Sequence, residues 1–523
     1  MKEAEMLRYG SEGIGYWVSR RAEQTPQRLA VMDEDYALAW QAFNQRVNAL
    51  AAGLQSYGVS FGDRVAGVLL NSVPFLEAVF ACAKLGAVFV PINFRLAPQE
   101  VEYIVRDSGS LCVMYHESFS PLVTAACRNT AVTHYIPAAD PGFQQNNPYD
   151  SWLSLYMGAG EPHASVRGED IHMMMYTSGT TGRPKGAMLS HRNATWNAIQ
   201  LMLHEAALRP GDIVLTVAPL FHIGGLGIHT LPALYQGIPV LLFTRFHPEE
   251  VLQTIQARRI TALFLVPAMW EALSRVPAFD SYDLSSLRLL LCGGAPCPVP
   301  VIEFFQSRGL NFLEGFGMTE TSPIAMLLNA EDAIAKHGSI GRPVFHLAAR
   351  IADERGEAAA VGTIGELALI GPNVFEGYWN NQPATQEAFR GGWFHTGDLA
   401  RQDDQGFFYL VDRKKDMLIS GGENVYSVEV EQVLVRHPAI REVAVIGVPD
   451  SRWGEVPLAV VVLADPHASL TLAEVSEFCA KHLAKFKIPK HLQVVQELPR
   501  NATGKILKTT LRSSYQRMRE DRQ

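Results

Sequence analysis

An alternation of helical and strand-like segments runs along this chain and restricts what it can fold into. Residues 40–57 carry apolar side chains at helical spacing, at Phe43, Val47, Leu50 and Leu54. A turn follows, and 64–70 reads as a buried strand; 74–84 is helical again, and 87–90 is another strand. Further strand-like runs occur at 213–217, 239–243, 262–266 and 287–292. A strand that returns through a helix lies parallel to its predecessor, so this alternation predicts α/β layers with largely parallel sheets. At 523 residues the chain is too long for one hydrophobic core, and at least two domains are expected.

The pattern changes near residue 412. Asp412, Arg413, Lys414, Lys415 and Asp416 form a charge run between the strand-like 407–411 and the pair Gly421-Gly422. Beyond it the reading is helix (428–436), strand (443–448), strand (458–463), helix (472–483) and strand (492–495). Thr471 and Glu474 have the T-x-x-E spacing of a capping box for the second of these helices. The expected division is a large α/β domain over 1–412, a connection at 413–416 and a small α+β domain over 417–523.

Charge and cysteine usage narrow the classes of partner. A net charge of −8 argues against a nucleic-acid binder, which needs a basic surface. The six cysteines, Cys82, Cys112, Cys127, Cys292, Cys297 and Cys479, include no C-x-x-C pair, and they read as reduced thiols in a cytoplasmic protein. The start MKEAEMLRYG lacks the apolar core of a signal peptide, and no uncharged apolar run is long enough to span a membrane.

The stretch YTSGTTGRPKG, residues 176–186, follows an apolar β-prone run at 171–176 and precedes a second short strand at 187–190. Its glycines allow successive N–H groups to converge on an anion. Thr177, Ser178, Thr180 and Thr181 add hydroxyl donors and Lys185 adds a charge, which is chemistry for a polyphosphate. It differs from the nucleoside-triphosphatase loop, because Gly186 rather than Ser or Thr follows the lysine. Composition takes the loop to phosphate binding and no further.

Other stretches add chemistry of the same kind. Gly293, Gly294 and Ala295 follow a strand and leave room for a flat ring against the backbone. The run 314–321 mixes Phe316 and Gly317 with Thr319 and the carboxylate of Glu320, and a carboxylate near phosphates suits Mg²⁺. In GWFHTGD, Asp398 stands where an acid could take ribose hydroxyls. PRNATGKILK places Lys505 on a turn.

Together these stretches resemble the AMP-forming acyl- and aryl-CoA synthetases, a superfamily that includes peptide-synthetase adenylation domains and beetle luciferases. Five motifs in order carry the resemblance over nearly the whole chain: YTSGTTGRPKG, GFGMTET, GWFHTGDLA, DRKKDMLISGGENVYSVEVE and PRNATGKILK. The resemblance implies the fold of those adenylating enzymes, with a small mobile C-terminal domain. It also implies ATP, Mg²⁺ and CoA as partners of a small carboxylic acid: the acid attacks the α-phosphate, pyrophosphate leaves, and the CoA thiol then displaces AMP from the acyl-adenylate.

By the same resemblance, Thr177, Ser178, Gly179, Thr180, Thr181, Gly182 and Lys185 hold the β- and γ-phosphates. Phe316 packs on adenine with Gly293, Gly294, Ala295 and Gly317 alongside; relatives often have Tyr there, and Phe keeps the stacking surface. Glu320 takes Mg²⁺, Thr319 touches phosphate, Asp398 binds ribose and Arg413 supports it. Lys505 bridges the carboxylate and the α-phosphate, stabilising charge on phosphorus. Gly421 and Gly422 line the pantetheine path, with Trp453 and Phe486 near the CoA nucleotide. Lys505 and Gly421 serve different half-reactions, so the small domain is expected to turn about Lys415. Ser427 stands where relatives commonly have Pro and is expected to cap a helix.

The segment PLFHIGGLG, 219–227, resembles the acid-pocket segment of the family. His222 is placed beside the carboxylate or at the pocket entrance, and Gly225 and Gly227 are expected to leave space. With no Lys or Arg in the segment, the acid should be hydrophobic. The expectation is a medium- or long-chain fatty acid. An aryl or hydroxycinnamate (feruloyl-type) acid is the alternative, and a carrier-protein acceptor, a luciferase-like oxidase and a non-catalytic nucleotide-binding relative remain rivals. A homodimer is left open.

Overall fold

The computed structural model describes residues 12–520 apart from 34–35, 140–146, 163, 178–182, 206, 451 and 501–505. The chain divides into two compact units, Met1–Ala349 with Leu369–Phe394, and Arg350–Ala368 with His395–Gln523. The 413–416 connection therefore lies inside the second unit, because the antiparallel strands Trp393–Gln402 and Phe408–Arg413 tie the residues before it to that unit.

The first unit holds a seven-stranded sheet in the order Gly377–Tyr378, Lys185–Ser190, Ile171–Thr177, Val88–Pro91, Arg64–Val68, Cys112–His116, His134–Ala138. From Ile171–Thr177 onward the pairings are parallel, as helix–strand alternation requires. The helix Val73–Leu85 that joins two of these strands is buried on every residue, which explains why its sequence is apolar apart from Glu77 and Lys84, and those two are paired with Arg46 and Glu161. It stops at Gly86, whose φ of 68° is left-handed backbone that glycine adopts without strain.

A second sheet of this unit runs Ser339–Pro343, Ile324–Leu328, Phe312–Gly317, Leu289–Gly293, Ala262–Leu265, Val214–Thr216, Val240–Leu242, Leu29–Met32, Ala37–Ala39. Its centre is parallel and both ends are antiparallel. The expected strands at 213–217, 239–243, 262–266 and 287–292 are all present within a residue or two.

In the second unit, Ala348–Ala352, Gly365–Ile370, Trp393–Gln402 and Phe408–Arg413 lie side by side. The C-terminal sheet runs Glu423–Val425, Leu418–Ser420, Gly454–Leu463, Ile440–Asp450, with His491–Val494 parallel to Gly454–Leu463. Alternation along its long strands builds two cores. Val445 and Val461 face the helices Ser427–Leu434 and Leu472–Ala480 through Val430, Leu434 and Val475. Ile446 and Val460 face Leu511 of the helix Lys508–Glu520. Thr471 caps its helix as expected, accepting from the N–H of Glu474 at 3.3 Å while the Glu474 carboxylate accepts from the Thr471 N–H at 2.7 Å. All six cysteines are free and buried, and among the described residues no helix is long and apolar enough to cross a membrane.

Candidate active site

Ile171–Thr177 and Lys185–Ser190 form an antiparallel hairpin whose last paired residues are Thr177 and Lys185. The hairpin thus delivers the threonine hydroxyl and the lysine side by side at the mouth of the glycine-rich loop. Ser178, Gly179, Thr180, Thr181 and Gly182 lie outside the described residues. The Lys185 ammonium sits 5.2 Å from the centre of the Tyr378 ring. Tyr378 belongs to the short strand paired with Lys185–Ser190, and its hydroxyl donates to Glu320 Oε1 at 2.9 Å. One tyrosine therefore links the phosphate-loop cation to the expected Mg²⁺ carboxylate. Glu320 is 8% exposed and sits in the turn Thr319–Thr321, where its carbonyl accepts from the Phe375 N–H. A carboxylate oxygen near the loop's cation, with polar partners already in place, fits a hard divalent cation carried by a polyphosphate.

The turn is reached through Phe312–Gly317, which pairs with Leu289–Gly293 so that Gly315 lies opposite Gly293. Phe316 and Gly317 are partly exposed, as are Thr319 and Met318. A Cβ on Gly317 would stand 1.8 Å from the carbonyl oxygen of Pro323, so only glycine fits there. Gly294, at φ 88°, and Ala295 are exposed at the end of their strand, and Gly293 is buried. The following turn is tied back by Glu314, whose carboxylate accepts from the Cys297 N–H at 3.3 Å. Burial pushes the Glu314 carboxyl up to about 7.

The acid-pocket segment behaves differently from its reading in the sequence. His222 precedes a short helix, and burial, with Arg95 nearby, pulls its pKa down to about 4. The imidazole is therefore neutral at physiological pH, and Arg95 is a cation that the segment's own sequence could not reveal. Gly225 and Gly227 do not leave space. A Cβ on Gly225 would meet the carbonyl oxygens of Pro219 at 2.3 Å and Ala218 at 2.6 Å, and one on Gly227 would meet the Pro323 ring at 2.4 Å. Both glycines permit close packing of the helix against its surroundings. Gly224 instead faces the Phe264 ring, whose atoms lie 3.1 and 3.3 Å from its would-be Cβ. The same ring lies 3.2 Å from the would-be Cβ of Gly293. Phe264 is partly exposed although its strand neighbours Leu263 and Leu265 are fully buried.

In the second unit, Asp398 and Arg413 are register partners on adjacent strands, and Arg413 Nε lies 2.8 Å from Asp398 Oδ1. Asp398 is 3% exposed, so this pairing offsets the cost of burying its charge. Lys415 is exposed, and desolvation, its largest influence, lowers its pKa. Gly421 lies against Trp453: its N–H donates to the Trp453 carbonyl at 2.8 Å, and a Cβ there would be 2.7 Å from the indole. Gly422 faces open space. Phe486 is partly buried and packs on the core of the C-terminal sheet, and Trp453 is exposed. Ser427 does not cap its helix. Its N–H and hydroxyl both donate to Asp412, and the Lys508 ammonium donates to its oxygen at 2.6 Å. Lys505 lies outside the described residues.

Comparison with known proteins gives concordant matches. The AMP-binding enzyme family model matches residues 18–379, and the AMP-binding enzyme C-terminal domain model matches 429–505. A feruloyl-CoA synthase from Amycolatopsis sp. is 41% identical over 505 residues, covering 97% of this chain and 99% of that one. The long-chain-fatty-acid–CoA ligase FadD13 of Mycobacterium tuberculosis is 36% identical, covering 96% and 99%. The solved structure of o-succinylbenzoate CoA synthetase from Bacillus subtilis with ATP and magnesium superposes with a TM-score of 0.84 at 33% identity, covering 95% and 98%.

Proposed function

The chain belongs to the AMP-binding enzymes, as an AMP-forming acid–CoA ligase that uses ATP, Mg²⁺ and CoA, and from that premise we propose that its acid is a flat aromatic one of the hydroxycinnamate kind. The observation that carries this reading is the partly exposed Phe264 ring, whose atoms lie 3.1 and 3.2 Å from where a Cβ would stand on Gly224 and on Gly293. A planar wall edged by two glycines suits an aromatic ring stacked on it. The spaces beside Gly225 and Gly227, which an aliphatic chain could have used, are taken by backbone carbonyls and by Pro323. The feruloyl-CoA synthase match supports the same choice; the fatty-acid ligase match keeps the aliphatic acid as the competing reading.

On this reading the carboxylate oxygen attacks the α-phosphorus, the bond to pyrophosphate breaks, and an acyl-adenylate forms. The CoA sulfur then adds to the acyl carbon, its proton is lost to solvent, and AMP leaves with the carbon–oxygen electron pair. Thr177 and Lys185 hold phosphate oxygens, and Lys505 offsets charge on phosphorus. Glu320 would hold the Mg²⁺, which would neutralise phosphate charge. Neutral His222 orients the carboxylate without competing with Lys505 for its charge, and Arg95 draws the anion in. Asp398, set by Arg413, takes the ribose hydroxyls. Gly421, Gly422 and Trp453 receive the CoA arm. The need for ATP and CoA, with buried free thiols, fits a cytoplasmic setting.

A panel of ferulate, 4-coumarate, indoleacetate, octanoate and palmitate, scored by AMP release with CoA present, tests the acid. The aryl acids are expected to give the highest kcat/KM, and Phe264→Leu to lower it for ferulate by about tenfold while sparing octanoate. A preference for octanoate or palmitate in the unaltered enzyme refutes the aromatic reading.

A further inference from the structure

The helix Pro98–Ser108 carries none of the residues above, yet it reaches both ends of the phosphate loop. We propose that Tyr103 and Asp107 on this helix are positioning residues that clamp the two ends of the Thr177–Lys185 loop and so prepare it for the ATP phosphates. The inference rests on the assignment of that loop to phosphate.

Tyr103 and Asp107 stand four residues apart, on one face of the helix. Asp107 Oδ2 accepts from the Tyr176 hydroxyl at 2.6 Å, immediately before Thr177. The Tyr103 hydroxyl donates to the Pro184 carbonyl at 3.1 Å, immediately before Lys185. The two tyrosine rings meet edge to face, 6.5 Å apart at 85°, and the Arg183 guanidinium lies 5.6 Å from the Tyr103 ring. Burial and the neighbouring carboxylate push the Tyr176 phenol well up, so its proton stays on oxygen and the bond to Asp107 persists across the working pH range.

The clamp is itself braced. The Asp107 carbonyl accepts from the Trp379 indole N–H at 2.9 Å, and the Trp379 backbone N–H donates to the Gly186 carbonyl at 2.8 Å. Gly186 is the register partner of Tyr176, so the contacts close a circuit through 107, 176, 186 and 379. Glycine has more backbone freedom to lose on ordering than any other residue, and the sequence between Thr177 and Lys185 carries two. Fixing its ends before ATP arrives lowers that ordering cost, and the benefit falls on ATP rather than on the acid or CoA.

The test measures ATP–pyrophosphate exchange and the full reaction for Asp107→Ala, Asp107→Asn and Tyr176→Phe, with Lys185→Ala in parallel. KM for ATP is expected to rise about tenfold in Asp107→Ala and Tyr176→Phe, the loss of one charge-assisted hydrogen bond. KM values for acid and CoA stay within about twofold. Asp107→Asn, which keeps an acceptor, stays near the unaltered enzyme, and the Asp107→Ala/Tyr176→Phe pair is no worse than either alone. An unchanged KM for ATP in Asp107→Ala, with Lys185→Ala impaired, overturns the clamp. So does a fall in kcat with a similar rise in all three KM values and a lowered unfolding midpoint. An unchanged Lys185→Ala overturns the loop assignment, and the clamp with it.

Discussion

Gly317→Ala probes how tightly the nucleotide side of the site is built. The added methyl would lie 1.8 Å from the Pro323 carbonyl oxygen and 2.8 Å from its carbon, where 3.4 Å is the near limit of ordinary contact. Both colliding atoms are backbone, so relief requires a shift of about 1.5 Å between the strand end and the turn that carries Thr319 and Glu320, rather than a side-chain rotation. The Met318 N–H also donates to that Pro323 carbonyl at 3.1 Å, so the bond is strained by the same shift. A misplacement of about 1 Å costs on the order of 10²-fold in rate, or about 3 kcal/mol of transition-state stabilisation. Overpacking of this kind adds about 1–3 kcal/mol of lost stability. The assay is ATP–pyrophosphate exchange at saturating acid, with the thermal midpoint followed in parallel. Gly160→Ala serves as control, since its Cβ would meet nothing within 4 Å. If Gly317→Ala matches the control in both readouts, the close approach of the strand end to Pro323 does not set the geometry of the site.

Two further outcomes follow from the second unit and from the buried carboxyl. On the reading that the small domain turns about Lys415 between half-reactions, proline, which fixes φ, is expected at that position to leave pyrophosphate exchange within about threefold and to lower thioester formation by about 10²-fold; equal loss in both half-reactions in Lys415→Pro refutes a hinge at that residue. Burial raises the pKa of the Glu314 carboxyl in the fold from the ordinary 4.5 to about 7. Its neutral form is favoured in the fold, so the associated stability is full below about 4.5 and is lost as pH rises through about 7. Glu314→Gln should therefore flatten the fall of the unfolding midpoint between pH 5 and 8, a fall worth about 3 kcal/mol at most. An undiminished pH slope in the variant places the titration elsewhere.

Much of the architecture was legible because its signals are local. The apolar spacing of Phe43, Val47, Leu50 and Leu54 marks the helix Trp40–Ser56, and Thr471 with Glu474 marks the start of Leu472–Ala480. The hairpin around the glycine loop follows from two β-prone runs joined by residues that tolerate a turn. In the segment 219–227 the structure departs from the expectation of space for an equally physical reason. Glycines at 225 and 227 read as room, but whether a missing side chain leaves a void or admits a neighbour depends on residues elsewhere in the chain, here Pro219 and Pro323. Ser427 read as a cap because its type suits one, whereas Asp412 and Lys508 draw its hydroxyl away.

What the sequence determined by itself was the family, the motif chemistry and the order of elements, since each is written in residue types at short spacing. Tertiary structure alone decided which groups share a surface: Tyr378 between Lys185 and Glu320, Arg95 beside His222, the Phe264 ring against Gly224 and Gly293, and Tyr103 with Asp107 at the loop ends. These partners come from separate strands and helices. Short-range patterning fixes the backbone of each element, and only the packing of one element on another fixes which side chains meet.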